Sequence, residues 1–554
     1  FATNSSIRLS LDNNSRISLS NNDSGGTGGS DSTSANTLLG YLAGDDMASG
    51  GVNNSFVGHA AGHKNTTGDS NSGFGRYAGF GNLTGDNNTF VGSSAGLSDN
   101  GSSHSNNTGV GFEALKVLTS GTHNVSVGAR SGDALTDGQY NVFLGEFAGS
   151  TTTSVNNAVF IGQSAGAGAD VSADGTVAIG LSALTALTSG VGNLAIGHQA
   201  LYGHTTGARN IAIGYGAMDG TGGATVKDSN DNIMIGNDAG GGTWTTNKSQ
   251  YNLGIGSYVM DAAMNGANYN VGLGYSALGG LISGDSNVAV GVDTLTQTTT
   301  GGANTAVGYQ AMTGDADGDG ADNTAIGHKA MLAAVSPSKN VAVGDSAMRV
   351  MNGTANGIAN CVAIGANAFY GNADNTTTGA NGTVAIGKDA LFSLTTGAGN
   401  IAIGENTGKY VTTGANNIGL GQYSLGGNVT TALTGGGNIA IGKNTLRDIQ
   451  GGAEANICIG KDAGLDLSGS YNVLIGQDAG DSLAGQTHNT AIGTDALGGS
   501  SGVDQAVVVG SQAGMGAMTA NADGTVLMGY SAGASVTTGN GNTMVGYIAG
   551  TDIT

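Results

Sequence analysis

The sequence predicts an all-β fold built of stacked coils, a β-solenoid, and three observations predict it. A short unit, Asn304-Thr305-Ala306-Val307-Gly308-Tyr309-Gln310-Ala311, returns in close variants from Asn36 to the last residues. Anchored on the glycine after the apolar pair, it occurs 29 times, from Gly40 to Gly546, with a mean period of about 18. Everything between copies reads as turn. A fixed period near twenty marks an array whose units bury their apolar side only by stacking.

Bulk properties agree. A length of 554 residues would ordinarily suggest three or four globular domains, but a repeat array overrides that expectation. Glycine supplies 105 residues without the every-third spacing of collagen, and the single proline, Pro337, argues against a disordered Pro/Gly linker. A net charge of −22 speaks against nucleic acid and anionic membrane surfaces, both of which select basic patches. No run of eighteen apolar residues exists, so we expect no membrane insertion. No signal peptide opens the sequence and no anchor closes it, so we expect ends that are trimmed or continued elsewhere. Cys361 and Cys458 lie in copies five repeats apart and read as small buried residues.

Three segments follow in chain order. Residues 1–20 alternate apolar and polar about Asp12-Asn13-Asn14, which predicts a small β-hairpin. Residues 21–35 are rich in Gly, Ser, Asp and Thr and read as a connector. Residues 36–554 are the array.

Each position in a copy has its own physical task. The residue before the anchor glycine is Ile, Val, Leu, Phe or Met in every copy, so we expect it in the core. The residue two earlier points the same way by strand alternation. The residue between them, polar if one face were solvated, is Ala in twelve copies and Phe in four, and only Ser126 is polar. Such a strand is covered on both faces, by the coil's own second wall and by a neighbouring chain. The anchor glycine marks a bend or a close approach that a Cβ would block. Three residues on, Ala fills 23 of the 29 copies, which suits tight packing of a second short strand. Asn stands four before the glycine in 23 copies, where stacking predicts a side-chain amide ladder. Intervals range from 16 to 22 residues, with the insertions emerging on one edge. At about 4.8 Å per stacked strand the array predicts a rod on the order of 140 Å.

The pattern Asn-x-Ala-Ile/Val-Gly-x-x-Ala resembles the head repeat of YadA-like trimeric autotransporter adhesins, over about Asn36 to Gly550. The resemblance implies a left-handed parallel β-roll, with three chains side by side in a homotrimeric fibre. The turns are longer and more irregular than in adhesin heads, and no stalk, neck or membrane barrel is present in the sequence. With Ser15-Arg16-Ile17-Ser18-Leu19-Ser20-Asn21-Asn22, the longer repeats look more like tail-fibre proteins of marine tailed phages. Such fibres often carry a self-cleaving intramolecular chaperone, which we expect to have been removed after assembly.

Candidate chemistry is sparse. Asp315, Asp317, Asp319 and Asp322 place carboxylates as in the first half of a calcium loop, but Ile326 stands where the twelfth-position glutamate belongs. These four are the candidate metal ligands, and a solvated acidic turn is the alternative. His59, His198 and His328 follow anchor glycines, in a slot that reads as a variable surface position. Tyr41, Tyr215, Tyr275, Tyr309, Tyr530 and Tyr547 share that slot, and Trp244 lies in a turn insertion; such rings stack on sugars or on a neighbouring chain. No carboxylate pair, Ser/His/Asp set or phosphate loop is distinguished, so we expect no enzyme and no organic cofactor.

The expectation is an extracellular attachment fibre, the trimeric shaft of a phage tail fibre. Its partners are two further copies, other virion tail proteins and a host receptor or glycan. A bacterial surface adhesin is the alternative, followed by an ice-binding solenoid and a polysaccharide-cleaving spike.

Overall fold

The computed structural model describes the backbone of residues 2–3 and 6–7. It further describes residues 35–47, 50–98, 101–168, 173–221, 228–314, 319–334, 336–351, 358–371, 379–427, 430–550 and 552. The chain divides into two units, Phe1–Asn268 and Tyr269–Thr554. In the first, thirteen three-residue strands run from Thr37–Leu39 to Leu253–Ile255, each parallel to the next in chain order. In the second, sixteen run from Val271–Leu273 to Thr543–Val545 in the same manner. Register never slips. Val177, Leu194 and Ile211 form one column, and Ala178, Ala195 and Ala212 the next. Each unit is a parallel β-solenoid with one short strand per turn, as the period predicts.

The anchor glycine ends every strand for a steric reason. At Gly75, φ is +137° and an added Cβ would lie 2.5 Å from the Gly92 carbonyl oxygen of the next coil. No other residue fits both constraints. The second residue after the anchor then takes a left-handed φ in all 29 coils, although it is glycine only at Gly216 and elsewhere includes Leu42, Tyr77, Glu113 and Asn406. That conformation costs about 1–2 kcal/mol per ordinary residue. A bond to the preceding coil offsets it: the Tyr77 N–H donates to His59 O at 2.9 Å. The fourth residue after the anchor is also left-handed throughout.

The second wall is therefore hydrogen-bonded from coil to coil but built of turns, where the sequence suggested a second strand. Two left-handed residues in every turn put its dihedrals outside the strand region. The second unit holds a local exception, Ala333–Ala334 paired in parallel with Val350–Met351.

Burial overturns the expected inside and outside of the strand. The centre residue, two before the anchor, is buried in 28 of the 29 strands, while its flanking residues are half-buried or exposed. Ile255 and Ile403, each directly before an anchor, are 43% and 40% exposed. Alternation correctly places the two flanking residues on one face, but that face is the outer one. The reason is space. The coil interior holds a single side chain at this height, supplied either by the strand or by the facing wall.

That limit produces a reciprocal rule of size. The fourth residue after the anchor is glycine in fourteen coils and Leu, Met or Phe in fifteen. All fifteen large residues face an Ala or Gly at the strand centre, as Leu184 faces Ala178 and Phe369 faces Ala363. Eleven of the fourteen glycines face a larger centre residue, as Gly166 faces Phe160, whose ring would lie 2.7 Å from an added Cβ. The three others are filled by neighbouring coils: Phe90 reaches Gly79, Phe143 reaches Gly132 and Leu391 reaches Gly408. A core of fixed volume tolerates neither two large groups nor two small ones.

The asparagine ladder is present. Asn287 donates through Nδ2 to Asn270 Oδ1 at 3.1 Å and Gly301 O at 2.9 Å. Its Oδ1 accepts the Asn304 backbone N–H at 3.0 Å. Amides so bonded tie the coil before to the coil after, and the ladder asparagines are buried apart from the half-buried Asn542. The ladder is interrupted in pairs, at Ala158 and Thr176, Cys361 and Thr383, and Ala506 and Thr525. Both cysteines are buried and free.

At the N-terminus, Ser6–Ile7 pairs antiparallel with Ala2–Thr3. The expected turn at Asp12-Asn13-Asn14 and the connector up to residue 34 lie outside the described residues. A single 3-10 turn, Ala520–Ala522, completes the described elements.

Candidate functional site

Of the four acidic residues read as calcium ligands, Asp315 and Asp317 lie outside the described residues. Asp319 and Asp322 are exposed. Asp319 accepts a hydrogen bond from the Thr300 hydroxyl. Asp322 has a left-handed φ of 60°, and its N–H donates to Gly302 O at 3.1 Å. Ile326, at the twelfth place, closes the strand Thr324–Ile326.

The slot after the anchor glycine forms columns of rings. His198 stacks on Tyr215 at 4.9 Å between centroids, Tyr309 on His328 at 5.6 Å and Tyr530 on Tyr547 at 5.4 Å. His328 Nδ1 also lies 2.6 Å from an Asp345 carboxylate oxygen. Rings separated by one repeat in sequence are brought within stacking distance by the coil rise alone. Trp244 corrects the expectation of an exposed ring. It is 1% exposed, with its indole N–H donating to Gly240 O at 3.1 Å. A ring of that area favours the interior once its single donor is satisfied.

A concavity lies on the turn wall of the first unit. It has a volume of about 440 Å³ and spans five coils, from Leu42 to Lys116. Two rows border it. One is the left-handed second residue after each anchor (Leu42, Ala60, Tyr77, Ser94, Glu113), and the other the fifth (His63, Phe80, Leu97, Lys116). Ala60 and Ser94 flank Tyr77 with small side chains, which opens the space on either side of its ring. His59 lies edge-on to Tyr77 at 5.3 Å, Tyr77 edge-on to Phe80 at 5.5 Å, and Phe80 stacks on His63 at 5.2 Å. Tyr77 and Phe80 stand outside the ring slot directly after the anchor that the sequence singles out. Their signal was the repeat register itself, read one and four places further on.

Charge gathers on the same wall. The Arg76 guanidinium sits over the Tyr77 ring at 4.6 Å. Glu113 lies between Lys116 Nζ at 3.0 Å and Arg130 Nε at 3.2 Å. Nearby, burial raises the Asp133 carboxyl above the usual carboxylate range, with Arg130 opposing.

Two further groups of titratable side chains lie in this unit, the first of them sharing the cleft residue His63. Asp45, Asp46 and His63 bring one ligand atom each within 4.8 Å of one another. Asp46, however, is engaged by Lys64 at 2.7 Å, a bond that holds its carboxyl below the usual range. Asp261 is raised to about 6 by burial and then by repulsion from Asp238 and Asp219.

Two buried histidines occupy the turns. His204 Nε2–H donates to Gly207 O at 2.9 Å, and His104 Nε2 lies 3.4 Å from the Ser98 hydroxyl. Burial lowers both to about 4, so they are neutral inside the fold.

No helix among the described residues is long and apolar enough to cross a membrane. Comparison with models of known protein families gave no match, and comparison with curated proteins gave none either.

Proposed function

We propose that this chain is a structural attachment protein, the shaft of a homotrimeric phage tail fibre that mediates adhesion to a host cell. The observation that carries the reading is the outer strand face. Its two columns of residues flank the centre position in every coil. The one before the anchor is Val, Ile or Leu in all coils but two, Phe74 and Met528, and remains half-buried or exposed in a single chain. A soluble protein seldom leaves a continuous apolar face of this extent in water, and such faces mark association surfaces. The resemblance of the repeat to YadA-like heads supplies the count of three and the side-by-side arrangement. With the strand faces turned toward one another, the turn walls stay outside, carrying rings and charges. Reach along the shaft and three copies of each surface feature raise avidity without strong single contacts. No catalytic step is needed.

The mass of the native particle tests this, by light scattering or native mass spectrometry. About three times the 53.8 kDa chain supports the shaft. A monomer overturns it. A second reading, a bacterial surface adhesin whose roll itself binds matrix or glycan, is favoured by the ring-lined cleft on the turn wall. Binding of isolated trimer to a glycan or matrix surface, independent of any virion protein, supports that reading over the shaft.

A further inference from the structure

We infer that the cleft between Leu42 and Lys116 binds an anionic saccharide, with its sugar rings on Tyr77 and Phe80 and its carboxylate or sulfate on Arg76. The inference deepens the attachment reading and rests on it for its biological sense, but its chemistry is local to the first unit.

Three independent observations converge. The rings of His59, Tyr77, Phe80 and His63 are contiguous, each within 5.5 Å of the next, and they line a groove instead of filling a core. Half-buried rings bordering a groove suit the C–H faces of sugars, and the groove's 440 Å³ lies in the range of small-ligand sites. A groove open along its length offers ring edges and faces and no enclosed socket for a peptide side chain.

The cations are the second observation. Between Asn36 and Ala208 this chain of net charge −22 has only four Lys or Arg residues: Lys64, Arg76, Lys116 and Arg130. Arg76 and Lys116 line the cleft, Arg130 pairs with Glu113 on its border, and Lys64 follows the cleft residue His63. Where positive charge is scarce, its concentration at one groove indicates the sign of what the groove holds.

The third observation is the state of Arg76. Lys64, Lys116 and Arg130 each have a carboxylate partner, whereas among the described residues Arg76 has none. Its guanidinium is instead held over the Tyr77 ring, which leaves its edge donors for a ligand anion seated beside that ring. The two elements of recognition come from adjacent residues, Arg76 and Tyr77, directly after Gly75.

The full-length chain tests this by calorimetry and ligand-observed NMR. The probes are trigalacturonate, a sulfated galactose trisaccharide, neutral galactotriose, hexaglutamate and inorganic sulfate. We expect one or both anionic trisaccharides to bind at least roughly tenfold more tightly than the neutral one, and which of the two binds identifies the anion. Arg76→Gln should remove that margin and leave the neutral sugar unaffected. Tyr77→Asn keeps a residue suited to left-handed φ, as at Asn406, and should weaken all sugars. Tyr423→Asn, at the same place after its anchor as Tyr77 but in the other unit, should change nothing. Equal binding of the neutral sugar, of sulfate alone or of hexaglutamate would overturn the inference, as would variants that bind like the parent chain. Sugar binding in a chain that attaches to no cell surface defeats the attachment reading alone. Attachment that survives Arg76→Gln and Tyr77→Asn defeats this site alone.

Discussion

The two walls of each coil are made by the same eighteen or so residues and behave differently. The strand wall is chemically uniform: Val, Ile or Leu before nearly every anchor, in register from coil to coil. The turn wall keeps an equally strict backbone, with left-handed residues at the second and fourth places after every anchor, yet its outward side chains include Leu42, Tyr77, Glu113 and Lys329. Backbone geometry on that wall is maintained by glycine contacts and coil-to-coil hydrogen bonds, so side chains there are free to vary. On the strand wall the side chains themselves are the constant feature. A repeat can thus separate assembly from recognition by assigning one to each face.

The coupling between the walls can be broken most severely in the core. Ala178→Phe opposite Leu184 puts two large groups at one height and should destabilise the local coils by about 3 kcal/mol or more. Adding Leu184→Gly recreates the arrangement of Phe160 and Gly166 and should recover a large part of the loss. Thermal unfolding of the two single variants and the double variant measures the coupling, and additive losses would refute the size rule.

Acid should act on the turn wall next. His104 and His204 titrate near 6.5 in the unfolded chain and at about 4 in the fold. Between those values the unfolded chain binds more protons, so stability is complete above about pH 6.5 and falls as the pH drops toward 4. The loss is up to ~3 kcal/mol per histidine. His204 occupies a turn position that other coils give to Leu118, Leu135 and Leu187, so His204→Leu should flatten the profile. Unfolding midpoints across this range check it, and an unchanged profile would show that His204 is not the group that titrates.

A smaller effect is expected where the walls join. Asn287→Ala removes an amide bonded to Asn270, Gly301 and Asn304, leaving buried partners unsatisfied. A loss of about 1–3 kcal/mol follows, localised by hydrogen exchange to the flanking coils. The smallest effect on a single chain, and the largest on assembly, belongs to the outer strand face. Ile403→Lys should shift the unfolding of an isolated chain by less than about 1 kcal/mol while reducing the native mass toward that of one chain. A trimer that survives charges at both Ile403 and Ile255 would remove the strand wall from the interface.

Much of this was legible in the residues. The period, the anchor glycines and the asparagine ladder were each assigned a cause from sequence, and the structure supplies that cause: Gly75 against Gly92, Asn287 between Asn270 and Asn304. Even the exchange of size between Phe160 and Gly166, or Ala178 and Leu184, stands in the sequence. It becomes visible only when positions six residues apart are known to face each other across the coil. The cleft was missed because Tyr77 and Phe80 are unremarkable in their own copies. They line a cleft only with His59 and His63 from the coil before and Ser94 from the coil after.

By itself, then, the sequence determined a stack of in-register coils, because period and glycine spacing act through local backbone sterics and hydrogen bonding. Only the tertiary structure decided which side of each strand lies inside. Alternation makes residues two apart share a face, but the inner face is chosen by the wall that folds back over it. That wall leaves room for one side chain, and the strand centre is where it fits.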